Sequence, residues 1–308
     1  MRTGKPDTHD KARRYTVAGQ AVEAPRLPPG LYVVATPIGN LRDITLRALE
    51  ILSQADLVAC EDTRVTRKLF DHYGLTAPLI AYHDHNAESA RPKILEKLAA
   101  GGAVALVSDA GTPLISDPGY KLVRAATAAG HAVSAAPGAS SVLMALTVAG
   151  LPTDRFLFEG FLPAKEKARR ERIAALARIP ATLVLFESGP RIAATLADLA
   201  AGFGPREAAV CRELTKLHEE VRRTDLVTLS RDYAAGAESR GEFVIVIAPA
   251  GDAEQPSADD IDALLRAALA RTSLKDAVAE VAAATGEPRR AVYSRALELA
   301  KADAPART

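Results

Sequence analysis

The amino-acid sequence predicts an α/β protein with two α/β domains followed by a small helical module. From Leu31 onward, short runs rich in β-branched residues alternate with segments of helical periodicity. Near Pro137-Gly138 the character of this alternation changes, and after a short polar linker the chain has only helical patterns. Strands that alternate with helices through short connections form a parallel sheet covered on both faces. We therefore expect domains at residues 29–138 and 139–250 and a helix–turn–helix-like module at 256–303.

The elements of the first domain are predicted in chain order. Strand-like runs occupy residues 31–35, 57–60, 79–82, 103–108 and 132–135. Between them, apolar residues recur at helical spacing, and one such helix would stop at Gly101-Gly102.

The second domain begins with a helical pattern at 139–149. Strand-like runs follow at 155–159, 182–186, 208–211 and 242–248, separated by a basic helix at 165–177 and another helix at 191–201. Beyond the linker, helices are expected at 259–270, 274–284 and 288–300. The break at 285–288 has the character of a helix–turn–helix corner.

Composition and charge indicate an ordinary globular protein. Of 308 residues, 48% are hydrophobic and 25% are charged, as in typical soluble domains. The formal net charge of +1 carries no global signature of nucleic-acid binding, so such contacts must come from local patches. Cys60 and Cys211 lie far apart in apolar runs, which argues against a disulfide framework and favours a cytosolic protein.

The beginning of the chain differs in composition from the rest. Residues 1–28 are polar and contain prolines, and we expect them to form a disordered leader. They lack the apolar core of a signal peptide, and no apolar run in the chain is long enough to span a membrane.

Five loops are predicted at the carboxyl edge of the first sheet, where open parallel sheets bind ligands. They are rich in small or polar residues and occupy residues 36–40, 61–64, 83–86, 108–119 and 137–141. Loop chemistry alone also favours Gly, Pro and Asp, so each turn taken singly could be structural. None of the loops has the glycine spacing of a dinucleotide site or a P-loop. A ligand held by backbone groups and one or two carboxylates, without phosphates, fits better.

The sequences of these loops resemble a known family. The runs that carry the resemblance are 35–45, 60–64, 107–119 and 137–141, and later runs at 185–191, 211–220 and 241–247 match as well. They are similar to the tetrapyrrole methylase superfamily and, within it, to the branch of ribosomal RNA small subunit methyltransferases I. The resemblance covers Gly30 to about Pro249 and the helical tail. It implies a parallel first sheet, a mixed second sheet and a helical C-terminal module.

The resemblance also implies an activity, a cofactor and partners. It implies methyl transfer from S-adenosylmethionine (SAM) to the ribose 2′-hydroxyl of a cytidine in the decoding region of 16S ribosomal RNA. The RNA would be bound in the small ribosomal subunit by a cytoplasmic homodimer. SAM would lie between the two domains, in contact with Pro37, Gly39, Ser108, Asp109, Thr112, Ser140, Ser141, Phe186, Glu187 and Leu214. Asp109 could instead cap a turn, and Ser140 could cap its helix, with or without touching the ligand.

Catalytic candidates lie in the loops beside the SAM loops. Alignment of the acceptor oxygen can supply roughly 7–11 kcal/mol, and a general base adds about 10²–10⁴-fold in rate. Glu61, Asp62, His83 and Glu88 are candidate bases, and we favour Glu61, with Arg64 positioning a phosphate or the acidic side chain. The alternative is a structural ion pair of Arg64 with Glu61 or Asp62. No Cys or third His lies near His83 and His85, so no metal site is expected.

Two basic segments are candidates for RNA contact, since such groups suit phosphates that position the nucleic acid. They comprise Lys165, Lys167, Arg169, Arg170 and Arg172 on one helix and Arg289, Arg290 and Arg295 on the last helix. The alternative for each is a solvated helix face. Two other functions stay open: C-methylation of a tetrapyrrole ring, and a non-enzymatic role as an RNA-binding assembly factor.

Overall fold

The computed structural model describes residues 13–250, 258–285 and 287–302. The chain divides into two units. The first comprises Met1–Ala177 and Thr182–Ala248, and the second comprises Arg178–Ala181 and Pro249–Thr308. The first unit contains two five-stranded sheets in the described residues, so the two predicted α/β domains form one compact unit.

A β-hairpin forms within the predicted leader, from β1 (Arg14–Val17) and β2 (Gln20–Glu23). Its turn has positive φ at Ala18 (49°) and Gly19 (79°), as a two-residue type I′ turn requires. Tyr15 is 3% exposed and joins the apolar core of the first sheet. The expectation of disorder for residues 1–28 is therefore wrong for this segment, because Tyr15 adds to a distant core. Residues 1–12 lie outside the described chain.

The first sheet is entirely parallel in the described residues. Its strands are β3 (Gly30–Val34), β4 (Leu57–Cys60), β5 (Leu79–Ala81), β6 (Ala103–Leu106) and β7 (Val133–Ala136), in the order β5-β4-β6-β3-β7. The helices are α1 (Leu46–Gln54), α2 (Thr63–Tyr73), α3 (Ala87–Ala99) and α4 (Tyr120–Ala128). Leu31 and Val34 pack into separate apolar clusters, so both faces of the sheet are buried. The parallel sheet expected from the alternating pattern is confirmed.

The second sheet is mixed, as the resemblance implies. Its elements are α5 (Ser141–Ala149), β8 (Phe156–Phe161), α6 (Glu166–Leu176), β9 (Thr182–Ser188), α7 (Ile192–Phe203), β10 (Glu207–Arg212), β11 (Glu220–Asp225), α8 (Leu226–Ala234) and β12 (Glu242–Ile247). The order is β11-β10-β12-β9-β8, with β8 and β9 parallel and the other pairs antiparallel. Helix α5 packs on this sheet, where Val142 and Leu146 join the cluster of Val184 and Val244.

Strand β11 and helix α8 were not expected from the sequence. The strand reads Glu-Val-Arg-Arg-Thr-Asp and none of its residues is fully buried. An edge strand of this kind lacks the apolar alternation by which strands are found.

The second unit contains three helices in its described residues: α9 (Ala258–Leu269), α10 (Leu274–Thr285) and α11 (Arg289–Ala302). Their shared core includes Leu265, Ala277, Val281, Val292 and Ala296. The helices expected at the end of the chain are confirmed. Within the described residues, no helix is long and apolar enough to cross a membrane.

Candidate active site

Three of the predicted loops are joined to one another at the carboxyl edge of the first sheet. Thr36 and Gly111 exchange backbone hydrogen bonds of 2.9 and 3.0 Å. The Thr36 hydroxyl also donates to the Ser108 carbonyl at 3.1 Å. The Thr112 hydroxyl donates to the Ala139 carbonyl at 3.2 Å. These bonds fix the 108–119 loop between the loop after β3 and the turn that begins α5.

Asp109 ties the second loop to this group. Its carboxylate accepts a hydrogen bond from the Asp62 backbone N–H at 3.0 Å. Asp109 therefore joins the loop at 61–64 to the loop at 108–119. Asp62 in turn caps α2, accepting from the Arg64 backbone N–H at 2.8 Å.

Arg64 forms an ion pair with Asp62, with 2.6 Å between Nη2 and Oδ2. The hydrogen bonds from Arg64 lower the pKa of Asp62 to about 2. This is one of the two structural alternatives that the sequence left open. The Arg64 side chain is nevertheless 87% exposed, so its outer face remains accessible.

A cavity of about 340 Å³ lies between these loops and the second sheet. Its floor is apolar and buried, and consists of Ile38, Val142, Cys211, Leu214, Phe243 and Val244. The polar residues on its walls are Thr112, Ser116, Asp117, Ser140, Ser141, Glu187, Ser188, Lys216 and Glu242. Ile115, Ser116 and Phe161 form an exposed rim. We refer to this space as the cleft cavity.

Six of the ten residues expected to contact the cofactor line the cleft cavity. They are Thr112, Ser140, Ser141, Phe186, Glu187 and Leu214. Pro37, Gly39, Ser108 and Asp109 are not among the lining residues. Ser108 lies directly behind the wall, where its hydroxyl bonds the Ala110 and Gly111 carbonyls at 3.2 and 3.4 Å. The 108–119 loop therefore shapes the cavity, with Ser108 as support.

Helix α5 begins at the cavity wall. Ser140 is its N-cap, and its hydroxyl accepts from the Leu143 N–H at 3.5 Å. Ser140 thus caps the helix and also lines the cavity. The first N–H groups of a helix have no partner within the helix, and its dipole favours negative charge there. This wall suits a carboxylate.

The carboxylate of Glu187 is used by the protein itself. It is buried and accepts hydrogen bonds from the Ser188 N–H at 2.8 Å and the Thr195 hydroxyl at 2.6 Å. Arg191 pairs with it at 3.3 Å. The side chain therefore anchors the end of β9.

Lys216 is a site residue that the sequence analysis did not single out. Its ammonium donates to Glu213 at 2.9 Å and to Glu242 at 2.8 Å. Its side chain lies over Gly39, where a Cβ atom would overlap the Lys216 Cγ. Gly39 therefore makes room for Lys216. The run 211–220 belongs to the family resemblance, but which of its residues faces the cavity depends on the positive φ of Glu213 and Thr215.

Glu61 lies in an acidic environment. Burial raises its pKa, and the negative charges of Asp109, Asp117, Asp84 and Asp62 raise it further. Asp117 lines the cavity. Burial also raises the pKa of Asp117, partly opposed by a hydrogen bond from Ser108. The carboxyl of Glu61 therefore holds a proton more strongly than an ordinary glutamate.

The loop after β5 is organised by Asn86, whose side chain accepts from the His83 N–H at 2.9 Å. The His83 and His85 rings are 6.0 Å apart. Among the described residues, the Nδ1 atom of His83 has no hydrogen-bond partner. Glu88 is exposed. Across all the residues that the structure describes, no group of three or more His, Cys, Asp or Glu side chains could hold a metal ion.

The basic segment of α6 differs from its prediction. The Arg169 side chain is 9% exposed and pairs with buried Asp198 at 2.7 Å. Its expected role in RNA contact is therefore wrong, because a guanidinium held in this pair cannot reach a phosphate. Arg170 also bonds Asp198 but is 63% exposed, and Arg172 pairs with Glu159. Lys165 and Lys167 are exposed.

On α11, Arg289 and Arg290 are exposed. They lie with Lys275 and Tyr293 around a shallow depression. Arg295 pairs with Asp262 at 2.7 Å and with Glu298 at 2.7 Å, so it stabilises the helical unit.

Comparison with known proteins adds to this geometry. Residues 30–230 match the family described as Tetrapyrrole (Corrin/Porphyrin) Methylases, and residues 255–300 match the RsmI C-terminal HTH domain. A ribosomal RNA small subunit methyltransferase I of Mesorhizobium japonicum is 51% identical over 280 residues, which is 90% of this chain and 95% of that protein. The protein of the same description from Xylella fastidiosa is 48% identical over 271 residues, covering 86% and 98%.

Solved structures share the fold over about 71% of the chain. A uroporphyrin-III-C-methyltransferase from Thermus thermophilus has a TM-score of 0.52 and 21% identity, covering 71% of this chain and 94% of that one. A diphthine synthase has a TM-score of 0.53 and 18% identity, covering 71% and 89%. At these identities the likeness shows the fold alone.

Proposed function

Because this chain belongs to the tetrapyrrole methylase family, we propose that it transfers a methyl group from SAM to a ribose 2′-hydroxyl in ribosomal RNA. The acceptor is a cytidine in the decoding region of 16S ribosomal RNA. The observation that carries the proposal is the cleft cavity, which the 108–119 loop, the start of α5 and the second sheet enclose together. Relatives with 48% and 51% identity over most of the chain are described as ribosomal RNA small subunit methyltransferases I, and this favours RNA over a tetrapyrrole as the acceptor.

The side chains of the cleft cavity fit the parts of SAM. Leu214 and Phe243 give an apolar floor for the adenine ring, with Phe186 at its side. The N-terminus of α5, at Ser140 and Ser141, suits the methionine carboxylate. Thr112 and Asp117 supply polar groups for the amine and ribose hydroxyls. The volume of about 340 Å³ falls within the range of small-molecule sites.

When bound, SAM supplies an activated methyl group on a sulfonium. The protein holds the acceptor hydroxyl in line and removes its proton. We propose Glu61 as the general base, because a carboxyl whose pKa is raised by burial and by Asp109 and Asp117 accepts a proton more readily. His83, whose Nδ1 atom has no hydrogen-bond partner in the described part of the chain, is the second candidate. The exposed outer face of Arg64 would position a phosphate while Asp62 holds its inner face.

The partners follow from the same proposal. The substrate is RNA of the small ribosomal subunit, and the enzyme acts in the cytoplasm as a homodimer. Lys165, Lys167, Arg170, Arg289 and Arg290 supply phosphate contacts, since all of them are exposed.

The proposal is tested by incubating the protein with labelled SAM and small subunits, naked 16S ribosomal RNA or a precorrin. We expect label in the RNA, at the 2′-oxygen of one cytidine by mass spectrometric mapping. Label found only in the tetrapyrrole would make the chain a C-methyltransferase. The absence of SAM binding by calorimetry would favour a non-enzymatic assembly factor.

The role of Glu61 is tested separately with Glu61→Gln. We expect kcat to fall by about 10²–10⁴-fold, with SAM affinity unchanged, since the side chain does not line the cavity. Glu96→Gln, which alters an exposed carboxyl on α3, is the matched control and should keep its turnover. Near-normal turnover of Glu61→Gln would show that another group is the base.

The pH dependence of kcat gives an independent measure of this role. A base acts in its deprotonated form, and the raised pKa of Glu61 means that acidification protonates it at a higher pH than an ordinary glutamate. We expect the acid limb of the profile to lie above about pH 4.3, the ordinary glutamate value. An acid limb that persists unchanged in Glu61→Gln would assign the titration to a different residue.

A further inference from the structure

Phe161 is placed on the cavity rim by an irregularity in β8. The register of β8 against β9 shifts between Phe158 and Gly160. Phe158 lies opposite Val184, and Phe161 lies opposite Phe186. In a regular strand, residues three apart face opposite sides. The bulge adds one residue, so Phe161 lies on the same face as Phe158, toward the cavity.

A second irregular segment, residues 114–116 of the 108–119 loop, lies next to the bulge. Gly160 has φ +74°, and a Cβ atom there would lie 3.0 Å from the Ser116 hydroxyl oxygen. Leu114 and Ser116 also have positive φ, at 75° and 61°. Between them Ile115 is 42% exposed. A non-glycine residue with positive φ costs free energy, and such residues concentrate at functional sites.

One side of the Phe161 ring packs against the protein, and much of its remaining surface faces solvent. It is 53% exposed although it lines the cavity. Its ring packs edge-on against Phe186 at 5.7 Å, and Phe186 packs against Phe158 at 4.8 Å. By contrast the floor residues Leu214 and Phe243 are 5% and 2% exposed. The floor is thus complete without Phe161, and the rim presents apolar surface at the mouth.

We propose that Phe161 and Ile115 form the subsite for the nucleobase of the acceptor nucleotide, which stacks on the Phe161 ring. A held aromatic ring at a cavity mouth is the arrangement by which proteins bind unstacked RNA bases. The inference rests on the proposed function, because it requires RNA as the acceptor. The cofactor occupies the floor, and the base enters over the rim, which brings its ribose to the mouth of the cavity.

The test compares Phe161→Ala with Phe156→Ala. Phe156 lies on the same strand and the same face, is 43% exposed and is not among the cavity-lining residues. We expect Phe161→Ala to lower kcat/KM for RNA by about 10- to 100-fold, mainly through KM. SAM affinity by calorimetry should change less than about twofold. Phe161→Trp should retain activity, and Phe156→Ala should behave as the wild type.

Three results would overturn the subsite while leaving the proposed function intact. The first is equal activity of the two alanine variants. The second is a loss of SAM affinity in Phe161→Ala as large as the loss of kcat/KM, which would assign the ring to the cofactor. The third is a change of oligomeric state in sedimentation, which would place Phe161 between two copies. A wild-type protein that methylates no RNA would overturn the proposed function and the subsite together.

Discussion

Helices α6 and α11 both begin with basic side chains, yet the structure uses the two sets differently. On α6, Arg169 is buried against Asp198, and Arg170 shares the same carboxylate. On α11, Arg289 and Arg290 are exposed, and only further along the helix does Arg295 pair with Asp262. A run of basic residues therefore does not tell which charges are free.

The difference is made by residues far away in the sequence. Asp198 stands on α7, 29 positions after Arg169, and it is 5% exposed. A buried carboxylate must be paired and hydrogen-bonded, so it draws two arginines of α6 to itself. The first turn of α11 lies instead beside Lys275 and Tyr293 at an open surface. The comparison predicts that Arg169 stabilises the fold and that Arg289 and Arg290 bind RNA.

The largest effect is expected from Arg169→Ala. Removing this partner leaves Asp198 buried with only Arg170, and breaking such a pair costs about 3 kcal/mol of the free energy of unfolding. Lys167→Ala on the same helix, whose side chain is 91% exposed, is the control. Urea denaturation measures both. A loss below about 1 kcal/mol for Arg169→Ala would contradict the structural role.

The double substitution Arg289→Ala with Arg290→Ala should weaken RNA binding without changing stability. We expect affinity to fall by about tenfold, and the slope of log K against log salt to fall by roughly 1.4, for two lost phosphate contacts to single-stranded RNA. Arg240→Ala, which removes an exposed charge paired with Glu238, should leave the slope unchanged. An unaltered slope in the double variant would assign RNA binding to another surface.

The smallest effect concerns the pair of Arg295 with Asp262. Hydrogen bonds from Arg295 lower the pKa of Asp262. A carboxylate with a lowered pKa contributes stability that is present above its unfolded value, about pH 3.9, and is lost as pH falls through the folded pKa. The melting temperature of the wild type should therefore approach that of Asp262→Asn below about pH 4. Equal melting temperatures of the two proteins at pH 7 would show that the pair contributes nothing.

The parallel sheet and its loops could be predicted from the sequence because both are local patterns. Apolar runs such as 103–108 mark strands buried on two faces, and the loops that follow parallel strands must meet at one edge. The 108–119 run also carries the resemblance to the family. The main features of the fold, and the sheet edge that holds the cavity, could therefore be predicted from the sequence.

What each polar side chain contacts was decided by the tertiary structure. Glu187 bonds Thr195, Arg169 bonds Asp198, and Lys216 covers Gly39. In each case the partner stands on another element, and single-sequence patterns do not say which element packs across from which.

The same reason explains the elements that the sequence analysis missed. Tyr15 is buried only because the first sheet offers its core, and β11 is a strand because β10 bonds it. Phe161 reaches the cavity through a bulge in the pairing of β8 with β9. The sequence by itself determined where the strands and helices of the apolar core lie, because those depend on the spacing of apolar residues along the chain. The tertiary structure alone decided which charges are free and which surfaces face the cavity, because those depend on contacts between distant residues.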